Sequence, residues 1–274
     1  MSFNWVKEAE LSLKSVSSAA EIIETQYKNL NGFRTKESPR DIVTELDIAI
    51  EHYLVKELSV SGYHIIGEET TSDEDIGPYL NQPVWYLDPI DGTANFISSV
   101  PFYAISAGLA VGFNFVAGTV ILPALREIYF ISDIGTSFVN GKQLKSDSAD
   151  LKSSLLAMAF SGTSYNIPQR KKQYQAFGYL NDNSRGCLRT GSAAINICYA
   201  ASGRIQAAVG LSNKIWDIAG GLAIARGAHC KIHLEWIKGT NRVNYIVGSD
   251  GVTQEIAEYL RINKIADIKP VSDY

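Results

Sequence analysis

The sequence is short of the features that commit a chain to a membrane, a disulfide framework or a nucleic acid. No run approaches the roughly 18 consecutive apolar residues of a membrane span, and the N-terminus lacks the basic-then-apolar layout of a secretory signal. A membrane partner is excluded on that reading, and a cytoplasmic location is expected. There are only three cysteines, Cys187, Cys198 and Cys230. An odd number without a Cys-x-x-Cys pair fits reduced thiols. Histidine is equally sparse: His52, His64, His229 and His233 are the only four. His229 and His233 stand four apart, but Lys231, Ile232 and Leu234 around them alternate as a strand does, which argues against a zinc pair. Positive charge is not in excess either, since 25 Lys+Arg against 29 Asp+Glu leave a net charge of −4. The tightest basic run, Arg170-Lys171-Lys172, reads as a solvated helix face, so nucleic acid is excluded as a bulk partner. Internal repeats, low-complexity tracts and Pro/Ser-rich linkers are missing as well.

What remains is an ordinary globular composition. The 274 residues are 46% hydrophobic and 20% charged, enough for a large core, and the length allows one large domain or two packed subdomains. Val6, Leu13, Val16, Ala20, Ile23, Tyr27 and Leu30 recur at helical spacing and predict a helix over residues 2–30, ended by Asn31-Gly32. A second helix is predicted over 44–58, with Asp47 in its first turn. A short strand near 63–66 and an acidic loop over 70–83 precede a strong strand, 84–87, that runs directly into Asp88. Segments 104–111, 115–121 and 127–132 are β-rich and predict an antiparallel meander, and Asn140-Gly141 signals a hairpin turn.

Beyond about residue 145 strands and helices alternate. A strand over 154–160, a helix over 168–180, a small-residue helix over 192–201 and a strand over 204–209 are predicted. A helix over 215–226 closed by Gly227, two strands and a final helix over 253–261 follow. An α+β half and an α/β half suggest two subdomains, 1–145 with the acidic motifs and 146–274, in one compact unit.

The most informative stretch is Asp88-Pro89-Ile90-Asp91-Gly92-Thr93. An apolar strand delivers two carboxylates three residues apart, and Pro and Gly shape the turn so that side chains and backbone carbonyls aim at one point. Hard divalent cations such as Mg²⁺ take that all-oxygen environment. Gly67-Glu68-Glu69 offers further acids upstream, and Trp216-Asp217 places another at the start of a small-residue helix. Alone, a GEE triplet is ordinarily a solvated loop, and an Asp after a strand is ordinarily a cap. Two acids around Pro-Ile at a strand end have little structural purpose together.

These motifs resemble those of the inositol monophosphatase family, within the metal-dependent, lithium-sensitive phosphatase superfamily. The likeness extends to the segment from Lys36 through Asp41, Val43 and Thr44 to Asp47, and to Gly191-Ser192-Ala193-Ala194. The resemblance implies a layered α-β-α-β-α sandwich, α+β and α/β in class and like fructose-1,6-bisphosphatase. It also implies a homodimer, for which apolar residues near Phe113, Phe115 and Ile121 are candidates, with core burial as their ordinary use.

Position by position, the resemblance implies that Glu68, Asp88 and the Ile90 carbonyl bind one Mg²⁺, and that Asp88, Asp91 and Asp217 bind a second. A third, weaker Mg²⁺ is implied beside Glu68, with Lys36 near its waters, and Li⁺ is implied as an inhibitor. Thr93 with Asp47 would orient the attacking water. The backbone amides of Gly92, Thr93 and Ala94 would cradle phosphate. Gly191, Ser192 and Ala193 would lie on the substrate side.

The sequence departs from the pattern at Gly210, seven residues before Asp217, where inositol-specific members usually carry a Glu that accepts hydrogen bonds from ring hydroxyls. Arg189 stands two before Gly191, where many relatives have a basic residue three before. Lys214 is placed to meet a second anionic group on the substrate, although an exposed loop is its ordinary setting. The resulting expectation is a Mg²⁺-dependent phosphomonoesterase acting on a small polyol or sugar phosphate. Histidinol phosphate, fructose 1,6-bisphosphate and 3′(2′),5′-bisphosphate nucleotides are the alternative substrates. The competing reading of another class is a non-catalytic scaffold protein, which decayed motif positions would favour; none is decayed.

Overall fold

A computed structural model of the chain describes residues 5–26, 34–35, 42–71, 75–133, 136–160 and 167–271. The predicted Asn31-Gly32 helix end and Lys36 lie outside them. Helix α1 (Val6–Gln26) buries Ala9, Val16, Ala19 and Ile23. A two-stranded hairpin, β1 (Arg34–Thr35) with β2 (Ile42–Val43), leads into α2 (Glu45–Leu58). Thr44 caps α2 by accepting from the amides of Leu46 at 3.2 Å and Asp47 at 3.3 Å, and Asp47 Oδ2 accepts from the Thr44 amide at 2.8 Å. This reciprocal capping box fixes where α2 begins.

Seven strands follow as one sheet in chain order: β3 (His64–Gly67), β4 (Pro83–Asp91), β5 (Ala104–Val111), β6 (Asn114–Leu122), β7 (Glu127–Asp133), β8 (Thr136–Val139) and β9 (Lys142–Gln143). β3 and β4 are parallel, and every later pair is antiparallel, the predicted meander. The five-residue α3 (Thr93–Ile97) sits between β4 and β5.

A second sheet contains β10 (Leu155–Phe160), β11 (Gly186–Leu188), β12 (Ala207–Lys214), β13 (Lys231–Trp236), β14 (Arg242–Gly248) and β15 (Lys269–Pro270), in the order β11-β10-β12-β14-β13-β15. Its helices are α4 (Ile167–Asp182), α5 (Ala193–Ala201), α6 (Ile215–Gly227) and α7 (Asp250–Ile262). The predicted strand over 204–209 is instead β12, which starts later and runs to Lys214. Arg204, Ile205 and Gln206 belong to the turn before it: the Gln206 side chain accepts from the Leu155 amide at 2.8 Å. A bulge between Gly210 and Asn213 carries the strand through polar residues that the sequence reads as loop.

Alternation along the strands sorts the core into three apolar layers. Trp85, Leu87, Ile105 and Leu109 on the outer face of the first sheet meet α1 and α2. Leu156, Met158, Val209 and Ile246 on the outer face of the second meet α4 and α7. Between the sheets, Tyr86, Val120 and Tyr129 on one side and Ala157, Ala208, Val243 and Tyr245 on the other close over α5 and α6. The result is a five-layer α-β-α-β-α sandwich. Although α6 comes from the second half of the chain, it packs directly on β5 and β6 of the first sheet. Among the described residues, no helix is long and apolar enough to cross a membrane.

Candidate active site

The site forms where β3 and β4 end and α6 begins. Because β3 and β4 are parallel with Gly67 opposite Leu87, the turn carrying Glu68 and the residue Asp88 emerge side by side. The Glu68 amide donates to the Leu87 carbonyl at 3.2 Å. Asp88 pairs with Ser106 and Asp91 with Ala104, so three steps on β4 match two on β5. That one-residue bulge has a consequence for chemistry. Residues three apart in a regular strand face opposite sides, whereas the bulge turns Asp88 and Asp91 to the same face. This is the inner face, against which α6 lies with Asp217 in its first turn. The Lys214 amide donates to Asp217 Oδ2 at 3.2 Å.

Glu68, Asp88 and Asp217 each bring a carboxylate oxygen within 4.8 Å of the others. Asp88 is 1% exposed, and its Oδ1 has no hydrogen-bond partner. Asp91 lies beside this cluster, its Oδ2 accepting from the Ser192 hydroxyl at 2.6 Å and the Ala194 amide at 2.7 Å.

Crowded acids in a buried site resist ionisation. Asp88 is held well above the ordinary carboxylate range, by burial first and then by Glu68, Asp91, Asp217 and Asp47. Burial pushes Asp91 up to about 7, outweighing the hydrogen bonds from Ser192 and Ala194 that pull it down. Asp217 also rises to about 7, through burial and then Asp91, against the opposing charges of Lys214 and Arg242. An all-oxygen, all-acid donor set with an unpartnered buried oxygen is one that a hard divalent cation satisfies.

Thr93 opens α3 directly after Gly92, whose φ of 94° is in the left-handed region that a side chain disfavours. The Thr93 hydroxyl lies 3.0 Å from the Ile90 carbonyl and 3.4 Å from Asp47 Oδ1. The expected Thr93–Asp47 pair is therefore in reach, and the Ile90 carbonyl is the nearer acceptor. Ala94 is exposed, and the amides of Thr93 and Ala94 belong to the first turn, where a helix leaves its own donors over. Gly191 is exposed beside α5, while Ser192 and Ala193 are buried at its start. The Ser192 hydroxyl thus serves Asp91, and Lys214 rests its Nζ 4.8 Å over the Trp216 ring.

Three residues at the site escaped the sequence reading. Glu51 is a fully buried acid on α2, at a position that continues the apolar stripe of Leu54 and Leu58; a charge on such a stripe marks a buried acid but not the partners it meets. Asn95 donates through Nδ2 to the carbonyls of Phe102 at 2.6 Å and Thr190 at 2.8 Å, tying the α3 turn to the segment before α5. Tyr245 is fully buried opposite Gly210, and a Cβ added at Gly210 would fall 2.0 Å from its Cε1. Its hydroxyl has no partner, and burial, then Asp91 and Asp217, keep it protonated. No local pattern announces Asn95 or Tyr245.

Comparison with known proteins gives a consistent result. A family model described as "Inositol monophosphatase family" matches residues 6–261. The inositol-1-monophosphatase SuhB of Mycobacterium tuberculosis is 31% identical over 248 residues, covering 88% of this chain and 84% of that protein. Inositol monophosphatase 3 of Solanum lycopersicum is 30% identical over 227 residues, 80% of this chain and 82% of its own length. The solved structure of Mycobacterium tuberculosis SuhB superposes with a TM-score of 0.76 at 26% identity, covering 95% of this chain and 98% of that one.

Proposed function

This chain belongs to the inositol monophosphatase family, a family of phosphatases, and from that premise we propose that it is a Mg²⁺-dependent phosphomonoesterase acting on a small polyol or sugar phosphate by direct attack of water. The observation that carries the reading is the convergence of Glu68, Asp88 and Asp217, one carboxylate oxygen from each within 4.8 Å of the others, together with the unpartnered buried Oδ1 of Asp88. Glu68, Asp88 and the Ile90 carbonyl would hold one Mg²⁺; Asp88, Asp91 and Asp217 would hold another. A third would sit beside Glu68 with Lys36. Bound there, Mg²⁺ supplies acidification of a water and Lewis-acid stabilisation of the leaving oxygen.

The chain's own residues do the rest. A Thr93 hydroxyl whose proton points to Asp47 or to the Ile90 carbonyl turns its lone pairs outward, so it accepts a hydrogen bond from the attacking water and orients it. Asp47 keeps that proton direction because its other oxygen is occupied by the Thr44 amide. The amides of Gly92, just before α3, and of Thr93 and Ala94 in its first turn receive phosphate oxygens. Gly191 and Ala193 flank the substrate, and Ser192 fixes Asp91. Near position 210 there is a neutral phenol ring in place of an acidic acceptor, which argues for a substrate other than an inositol phosphate or for broad acceptance.

Phosphate release from inositol, sugar, histidinol and nucleotide phosphates, with and without Mg²⁺, tests the reading. Activity on at least one ester that requires Mg²⁺ and falls with Li⁺ is expected, and inactivity across the panel favours a scaffold. Asp91→Asn, Asp217→Asn and Glu68→Gln are each expected to lower turnover by more than about 100-fold with unchanged circular dichroism. A wild-type rate for Asp91→Asn at saturating Mg²⁺ overturns the metal assignment.

A further inference from the structure

Glu51 stands on the buried face of α2, one helical turn beyond Asp47, with 0% exposure. A carboxylate withdrawn from water is costly unless its oxygens are hydrogen-bonded. Both are: Oε2 accepts from the Glu69 amide at 2.8 Å and Oε1 from the Thr70 amide at 2.7 Å. Those two amides belong to the turn after β3, the turn that carries Glu68.

Gly67 supplies the room for this contact. A Cβ there would fall within 2.4–2.7 Å of the Glu51 carboxylate atoms. The turn is tied on its other side as well. The Thr71 hydroxyl accepts from the Gly67 amide at 3.1 Å, and the Glu68 amide reaches Leu87 at 3.2 Å. Backbone on both sides of Glu68 is therefore fixed from distant elements, β4 before it and α2 after it. Meanwhile Asp47 reaches the Thr93 turn from the same helix.

We propose that Glu51 is a positioning residue of the metal site: it clamps the Glu69 and Thr70 amides so that Glu68 is already presented toward Asp88 and Asp217 before a cation arrives. The inference rests on the metal reading above. Without the clamp, part of the binding free energy goes into ordering the turn, so metal affinity falls while substrate contacts stay as they were. Gln in place of Glu51 keeps the shape but loses the charge and turns an NH₂ toward one of the two amides, which cannot accept from it.

The test measures Mg²⁺ binding to the full chain by calorimetry and by Mg²⁺-dependent shift of the melting temperature, for wild type, Glu51→Gln, Glu68→Gln and the double variant. Glu51→Gln is expected to weaken Mg²⁺ binding about tenfold or more. The Mg²⁺ concentration that half-saturates phosphate release should rise in parallel, while KM for the ester at saturating Mg²⁺ changes less than about twofold. In the Glu68→Gln background the further loss should vanish, because Glu51 acts through Glu68. A folded Glu51→Gln protein with wild-type Mg²⁺ affinity, or full additivity in the double variant, overturns the inference and leaves the metal reading intact. If wild-type protein binds no Mg²⁺, the metal reading falls and takes this inference with it. Should Glu51→Gln fail to fold, Glu51→Asp, which keeps the charge and shortens the reach, is measured with the same expectations.

Discussion

A side chain at position 210 would have to enter the ring of Tyr245, whose Cε1 lies 2.0 Å from where its Cβ would stand. Gly210→Glu is therefore expected to lower stability by about 3 kcal/mol through overpacking. Tyr245→Ala empties a buried aromatic site and is expected to cost about 3–5 kcal/mol. Because the two changes compete for one volume, urea unfolding of the double variant should show a loss clearly smaller than the sum. Additive losses would mean that the ring and position 210 do not share space. Residues carried by one contiguous motif were legible: Asp88, Gly92 and Thr93 stand together in Asp88-Pro89-Ile90-Asp91-Gly92-Thr93. Glu51 and Asn95 were not, because their partners lie 18 and 95 residues away, and only the fold brings them together.

At the scale of elements, α5 shows one residue serving structure and site together. Ser192 caps the helix by accepting from the Ile195 amide at 3.2 Å and donates to Asp91 at 2.6 Å. Ser192→Ala is expected to cost about 1–2 kcal/mol as a lost cap, and to weaken Mg²⁺ binding because Asp91 loses a holder. Thermal melts with and without Mg²⁺ separate the two effects: a change in the metal-free melt alone would leave Ser192 as a cap only. Helices α1 and α2 were legible because their apolar positions repeat with a helical period, and α5 and α6 because runs of small and apolar residues end at a glycine. β12 was only half legible. Its second half is Leu211-Ser212-Asn213-Lys214, and Ser212 adopts φ 62°, a conformation supported by Asn244 Oδ1, which accepts from its amide at 2.7 Å. That support comes from a neighbouring strand and leaves no mark in the local sequence.

For the whole molecule, the acid cluster links stability to pH and to metal. In metal-free protein Asp91 and Asp217 keep their protons until about pH 7, whereas unfolded carboxylates release theirs near about 3.9. Between those limits the folded state binds more protons than the unfolded state, so stability falls as pH rises from about 4 to about 7, and Asp88, held well above the ordinary carboxylate range, adds to the fall in the same direction. A bound cation favours the deprotonated acids, so its stabilisation is largest above about pH 7. Melting temperatures in chelator should decline across that window, and the gain on adding Mg²⁺ should grow; a gain independent of pH would overturn the linkage. The sandwich as a whole was legible through family resemblance, but the place of α6, made by the second half and covering the first sheet, was not, since α6 is buried on nearly every side and no polar face marks which sheet each side meets. That placement shapes the birth of the protein. Seven strands are complete once Gln143 has been added, while the helix that covers their inner face ends at Gly227, some 80 residues later. At about 5–20 residues per second of translation, the sheet waits on the order of 4–17 seconds with one apolar face bare. During that interval the acids of β4 remain apart from Asp217, which reaches them only once α6 has left the ribosome.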